Sequence, residues 1–251
     1  MSAPILEVRG LVKRFGGLVA TDALDLTIVP GEVHALIGPN GAGKTTLIGQ
    51  LAGELRPDAG SIRFDGRDMT RLAAHQRALA GLARSYQITQ VVPDFTALEN
   101  VMLAVQAHAG HSFRFWRPAR GFSALTAPAR EALEQVGLAA RAETLSAEMA
   151  HGEHRQLELA MALAARPKLL LLDEPLAGMS QQESAEMIEL LARLKGRMSM
   201  LLVEHDMDAV FALADRITVL VYGRAIACDA PAAIRASEEV RAAYLGDVEV
   251  V

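Results

Sequence analysis

The sequence predicts an α/β protein in which a helical insertion interrupts a sheet-bearing core. Three observations carry this reading. Short apolar runs of strand length alternate with longer helical patterns. A stretch from about 96 to 165 contains helical periodicity and no credible strand. A glycine-rich loop follows an apolar strand and opens a helix.

In chain order, early stretches at 5–8 and 24–29 read as strands, antiparallel to a third at 60–66, where Gly-Ser-Ile-Arg-Phe-Asp-Gly is bounded by turn residues. The apolar run 32–37 ends in Gly38-Pro-Asn-Gly-Ala-Gly43-Lys44-Thr45. A helix then runs from about 44 to 52 and stops at Gly53. Helical patterns occupy 97–105, 129–136 and 153–165. Strand-like runs return at 169–172, 200–203 and 217–221, separated by helices near 183–195 and 207–213. The segment 108–126 is the least regular and holds the single tryptophan, Trp116, read as a surface excursion with a buried anchor as the alternative. The alanine-rich stretch 230–245 reads as helical.

Composition narrows the class. With 251 residues, 25 Lys+Arg against 30 Asp+Glu and a net charge of −5, the chain lacks the basic balance of a protein held mainly by nucleic-acid phosphates. One cysteine, Cys228, excludes an intramolecular disulfide framework and fits a reducing compartment. Hydrophobic residues make up 51% of the chain, yet no run approaches the ~20 residues of a membrane-spanning helix. No apolar signal-peptide core follows Glu7, Arg9 and Lys13. The apolar excess is expected in a core or against a partner.

The loop Gly38–Thr45 has the spacing of a P-loop. Its glycines let successive N–H groups of Gly38, Pro39-flanking Asn40, Gly41, Ala42 and Gly43 curl around phosphate oxygens, and the helix N-terminus adds positive potential. Lys44 can neutralise β- and γ-phosphates, the Thr45 hydroxyl can ligate Mg²⁺, and Thr46 continues the helix start. Four leucines ending in Asp173-Glu174-Pro175 fit a strand buried on both faces, with carboxylates at the edge where ligands bind such sheets. Asp173 is suited to the Mg²⁺ shell and Glu174 to polarising an attacking water.

With these motifs in place the whole chain resembles the ATP-binding subunit of an ABC transporter. That resemblance implies ATP hydrolysis and a P-loop NTPase core (a RecA-like mixed sheet) with an antiparallel β subdomain and an inserted α-helical subdomain. It implies one domain over 1–251, with about 1–95 and 166–251 as core and β subdomain and about 96–165 as the helical signature subdomain. Gln87 resembles the family's glutamine at the junction of core and helices, which touches metal and water and relays contact with membrane subunits. His205 resembles the switch histidine at the γ-phosphate. Phe15 resembles the aromatic that stacks on adenine, the alternative being an ordinary core phenylalanine. Ala177-Gly-Met-Ser180 falls in the dimer-interface loop, with Ser180 where an aspartate is usual.

The signature motif departs from the family's Leu-Ser-Gly-Gly-Gln. The best register is Met149-Ala150-His151-Gly152-Glu153, chosen over Leu145-Ser146 by the match from Gly152 to Ala160. Ala150 thus stands where a serine is expected to bind the γ-phosphate held by the opposite subunit. The lost hydrogen bond to a charged group is worth about 1.5–3 kcal/mol, so the resemblance implies a weakened ATP site. Ala150, His151, Gly152 and Glu153 would act in trans. Further similarity at 81–87, 97–101, 173–178 and 243–246 is to ATP-binding subunits of branched-chain amino acid importers, with relatives importing urea, amides or aromatic acids.

The resemblance implies ATP and Mg²⁺ as cofactors. The implied partners are a second ATP-binding subunit (identical or a paralogue), two transmembrane permease subunits and, indirectly, a periplasmic or lipid-anchored binding protein. The implied place is the cytoplasmic face of the inner membrane, reached through those partners. Two other readings remain beside it: a soluble ABC ATPase of the iron–sulfur assembly type, and a P-loop kinase, which would leave the signature region and His205 without a task.

Overall fold

The structure is a computed structural model that describes residues 3–85, 91–109 and 121–242. Gln87, Trp116 and the 243–246 ending lie outside the described residues. The strands are β1 Leu6–Phe15, β2 Leu18–Ile28, β3 Val33–Ile37, β4 Ala59–Phe64, β5 Arg67–Asp68, β6 Leu82–Ser85, β7 Leu169–Asp173, β8 Ser199–Val203, β9 Arg216–Val221 and β10 Arg224–Asp229. The helices are α1 Lys44–Ala52, α2 Ala74–Leu79, α3 Ala97–Ala109, α4 Ser123–Gln135, α5 His151–Ala164, α6 Gln181–Leu194, α7 Met207–Leu213, α8 Pro231–Ala236 and α9 Glu238–Val240.

The strands form two sheets. An antiparallel sheet runs β2-β1-β4-β5, and a mixed sheet runs β10-β9-β3-β8-β7-β6. In the mixed sheet only the β9–β10 pair is antiparallel. Every residue of β3, β7 and β8 is buried, as expected for strands covered on both faces. The period-two alternation sorts their side chains. Leu169, Leu171, Leu201 and Leu36 face α1 and the antiparallel sheet. Leu170, Leu172, Met200 and Leu202 face the helices α3 to α6. The apolar half of the composition is therefore spent on layers lying on both faces of one sheet.

Register places the functional edge. In the parallel ladders Leu36 pairs with Val203 and Val203 with Asp173. The C-terminal ends of β3, β8 and β7 therefore line up, at strand spacings of about 4.8 Å. The loop after β3, the residues after β8 and the acidic pair at the end of β7 share one rim, the position where open α/β sheets bind ligands.

Several elements differ from the sequence reading. The edge strands β6 and β10 were not expected: β6 is four residues with one leucine, and β10 is exposed or half-buried along its length. Edge strands lack the apolar signature that marks central ones. The helix α2 is likewise unexpected. The early strands β1 and β2 are longer than 5–8 and 24–29 and pair as a long hairpin with register shifts. The C-terminal stretch is not one helix: α8 ends at Ser237, whose hydroxyl accepts Val240 N–H and starts α9.

Candidate functional site

The loop after β3 shows why glycine is required at two of its positions. A Cβ on Gly38 would lie 2.1 Å from Leu220 O, and one on Gly43 would lie 2.1 Å from Ala20 O, with φ of 105° at Gly43. The loop is pressed between the β9–β10 turn and β2; the Gly223 N–H donates to Ala42 O at 2.9 Å. No side chain caps the N-terminus of α1. Its first N–H groups and helix dipole are therefore available to an anion. Pro39 is half-buried, Asn40, Gly41 and Thr45 are exposed, and Thr46 is half-buried at the start of α1. Lys44 folds back to donate to Gly38 O at 2.6 Å and Pro39 O at 3.1 Å. Burial pulls the Lys44 ammonium below its ordinary range, and the nearby charges of Glu174 and Asp173 oppose that shift. The P-loop lysine thus sits within electrostatic reach of both acids.

Asp173 closes β7 with 3% exposure. Its Oδ2 accepts Arg84 Nη2 at 2.9 Å. Burial pushes the Asp173 carboxyl upward, and the Arg84 guanidinium counters it. Glu174 is half-buried and has φ of 51°, the left-handed region that disfavours a glutamate and stores about 1 kcal/mol or more. Its N–H donates to Val203 O at 2.8 Å, so the strained turn is held by β8.

His205 follows β8 and its side chain is 68% exposed. Sequence reasoning missed its neighbour. Glu204 is 1% exposed and accepts Leu176 N–H at 2.9 Å through Oε1 and His205 N–H at 3.1 Å through Oε2. It ties the loop after Asp173-Glu174 to the loop bearing His205. Burial pushes its carboxyl upward, against three backbone donors. The available signal was an acid at the end of a four-residue apolar run.

Phe15 ends β1 with 47% exposure, and Lys13 Nζ lies 5.5 Å from its ring centroid. An exposed ring on the β subdomain is not a core phenylalanine. Tyr86 and Gln87 are among the residues outside the description.

The signature region starts α5. Ala150 is the N-cap, with β-region angles and no side-chain bond. Glu153 accepts the Ala150 N–H at 2.9 Å and is held by Arg141 at 2.8 Å. The alanine methyl cannot return the bond to Glu153 N–H, so the reciprocal cap is half made. Gly152 N–H donates to Glu183 Oε1 at 3.0 Å, and His151 Nε2 lies 3.5 Å from Ala177 O. Glu183 also accepts Ser180 N–H at 2.9 Å and its hydroxyl at 2.7 Å. The signature helix and the loop 177–180 are thereby tied together. As folded, Gly152 N–H is already engaged. The His151 and Glu153 N–H groups have no hydrogen-bond partner among the described residues. Ser146, the competing register, is 0% exposed and its hydroxyl donates into the turn 92–95 at Val92 O, 2.7 Å. Such a hydroxyl cannot reach a ligand.

The hydroxyl of Thr45 and the carboxylate of Asp173 are hard oxygen donors beside an anion cradle. That donor chemistry suits a hydrated Mg²⁺. Among the described residues no cluster of three His, Cys, Asp or Glu side chains could hold a metal alone, so such an ion would rely on nucleotide oxygens and water.

Comparisons with known proteins identify the family. The profile of the family described as ABC transporter matches residues 21–177, and one described as branched-chain amino acid ATP-binding cassette transporter matches residues 226–250. The chain is 39% identical over 254 residues to the high-affinity branched-chain amino acid transport ATP-binding protein BraF of Pseudomonas aeruginosa, covering 98% of this chain and 100% of that protein. It is 37% identical over 259 residues to the corresponding protein LivG of Escherichia coli, with 98% and 100% covered. A crystal structure of the ADP conformation of an ATP-binding cassette of an ABC transporter superposes with a TM-score of 0.87 at 27% identity, covering 98% of this chain and 100% of that one.

Proposed function

From the premise that this chain belongs to the ABC transporter ATP-binding family, we propose that it is the ATP-hydrolysing subunit of an importer for branched-chain amino acids or related amino acids and amides. The observation that carries the proposal is the shared rim. Lys44 at the start of α1 lies in electrostatic reach of Asp173 and Glu174 at the end of β7, with His205 beyond the intervening strand β8.

The residues divide the work. N–H groups of 40–46 and the α1 dipole receive the phosphates, and Phe15 offers a ring to adenine. On nucleotide binding Lys44 exchanges its bonds to Gly38 O and Pro39 O for β- and γ-phosphate oxygens. Thr45 and Asp173, with Gln87 as the resemblance implies, would hold Mg²⁺, which would neutralise charge on the phosphate oxygens. Glu174, set by its left-handed turn, accepts hydrogen-bonding from the attacking water and takes its proton as the γ-phosphorus–oxygen bond to ADP breaks. The products are ADP and inorganic phosphate. His205 donates to the γ-phosphate and registers its departure.

A second ATP-binding subunit, identical or a paralogue, faces this chain, and the Ala150–Glu153 helix start of this chain completes the partner's ATP site in trans. Two permease subunits receive the movement, with exposed Leu79, Phe95 and Leu103 as apolar contacts on this chain. A substrate-binding protein delivers the cargo from outside, and nucleic acid has no part. The division into core with β subdomain (about 1–95 and 166–251) and helical signature subdomain (about 96–165) belongs to the same proposal. So does a peripheral location at the cytoplasmic face of the inner membrane: among the described residues no helix is long and apolar enough to cross a membrane.

The test is Glu174→Gln. The variant retains nucleotide binding, loses turnover and accumulates as an ATP-bound dimer on size-exclusion chromatography. A variant that stays monomeric at saturating ATP and Mg²⁺ counts against the dimeric mechanism. Reconstitution with permeases and binding protein then assigns cargo by which amino acid stimulates ATP hydrolysis.

A further inference from the structure

Arg84 lies in the stretch 81–87 but has none of the roles assigned above, yet it holds the acid expected at the metal. It belongs to β6, whose parallel pairing sets Arg84 opposite Leu171. Asp173 is two residues beyond Leu171 on the same strand, so its side chain emerges on the same face, one diagonal from Arg84. That diagonal is within reach of a long side chain. Nη2 donates to Asp173 Oδ2 at 2.9 Å, while Nη1 donates to Glu54, just past the α1 C-cap Gly53. The Arg84 side chain is 11% exposed and that of Asp173 is 2% exposed, against 36% for Glu54. The planar guanidinium therefore spans two acids from different elements, a geometry that an ammonium cannot reproduce.

We propose that Arg84 is a positioning residue for the metal shell: by occupying Asp173 Oδ2 from the sheet side, it presents Oδ1 toward the Mg²⁺–nucleotide complex. Oδ1 has no protein donor among the described residues. The proposal rests on the assignment of Asp173 to the Mg²⁺ shell made above. Partners that orient a ligating carboxylate change metal affinity by about 10- to 100-fold when removed. In this reading Arg84 acts through Asp173 Oδ2 and not on the phosphates or the attacking water. Its effect is thus on the metal-dependent part of nucleotide binding and not on nucleotide binding as such. Glu54 serves as the outer anchor that stops the guanidinium from swinging away.

The experiment uses the full chain and the fluorescent analogue trinitrophenyl-ATP, titrated first in EDTA and then with Mg²⁺ at fixed nucleotide. Arg84→Met is expected to leave the EDTA affinity within about twofold of wild type and to raise the Mg²⁺ concentration at half-effect by about 10-fold or more. Arg84→Lys is expected to fall between the two, and Glu54→Gln to give a smaller shift of the same sign. Equal loss of affinity with and without Mg²⁺ would assign Arg84 to holding α1 on the sheet and overturn the proposal. So would an unchanged Mg²⁺ midpoint in a variant whose EDTA affinity shows it folded. Wild-type protein with no Mg²⁺ effect at all would instead strike the assignment of Asp173 itself, which keeps the two failures apart.

Discussion

Ala150→Ser tests the unusual signature on two independent scales. At the start of α5, Glu153 already accepts the Ala150 N–H at 2.9 Å, while Glu153 N–H has no partner among the described residues. The start of α6 shows the finished arrangement in the same molecule. There Ser180 Oγ accepts Glu183 N–H at 3.3 Å and Glu183 accepts Ser180 N–H at 2.9 Å. A serine at 150 completes the equivalent pair, which is worth about 1 kcal/mol and a rise of about 2–4 °C in melting temperature. In the Ser180 pair the hydroxyl hydrogen goes to Glu183 at 2.7 Å, so at 150 it has to turn from Glu153 toward the partner's nucleotide. A bond from it to the partner's γ-phosphate is worth about 1.5–3 kcal/mol, or about 10- to 150-fold in the ATP concentration needed to close a dimer. The assays are thermal melting of the isolated chain, ATP-dependent dimerisation in a Glu174→Gln background, and ATPase rate in the assembled transporter. A higher melting temperature with no gain in dimerisation or rate would refute the reasoning, because it would show that position 150 does not face the nucleotide.

Two other substitutions address the scaffold. Arg77 is 1% exposed and donates to two carbonyls at the end of α1, Gln50 O at 2.6 Å (which also accepts Gly53 N–H at 3.3 Å) and Leu51 O at 2.7 Å, and also to Leu72 O and Thr70 O. Arg77→Met takes the donor from Leu51 O and one of two donors from Gln50 O, which costs about 1–3 kcal/mol for the stranded carbonyl and less for the other, for a net loss of about 2 kcal/mol after the relief of burying a cation; urea denaturation should show a midpoint lower by about 0.7 M, and a change under about 0.2 M would refute it. His34 is buried between Glu32 Oε1 at 2.9 Å and the Thr218 hydroxyl at 2.7 Å. Burial opposes its charge, but contacts with Cys228 and Glu32 outweigh that and raise its pKa above the ordinary 6.5. Its contribution is therefore complete below about pH 6.5 and lost as pH rises through the folded value. Glu32 is depressed below its ordinary 4.5, although burial alone would raise it, through His34, Val29 N–H and Arg216; its contribution fades only as pH falls through that lower value. The stability difference between wild type and His34→Gln should thus be larger at about pH 5.5 than at about pH 8.5 by denaturant titration, and a flat difference would refute it.

The central strands, the P-loop helix and the acidic strand end were legible because each carries a local signature. A four-leucine run must be buried, glycines at 38 and 43 permit a loop against Leu220 and Ala20, and Gly53 stops α1. Those signatures establish the fold class and the kind of chemistry. The sequence by itself also fixes that Ala150 removes a hydroxyl from the signature. It could not disclose β6, β10, Arg84 or Glu204. These edge strands lack the continuous run of large apolar residues that marks the central ones, and the meaning of an arginine or glutamate depends on what a distant strand brings to it. The β6–β7 register, set by packing on both faces of the sheet, turns Arg84 toward Asp173. The alignment of β7 with β8 lets Glu204 bind Leu176. The contact between Glu183 and Gly152 likewise exists only because α5 and α6 start side by side. Local chemistry determined which groups the chain possesses. Only the tertiary structure decided which of their atoms are free, because pairing depends on residues dozens of positions apart.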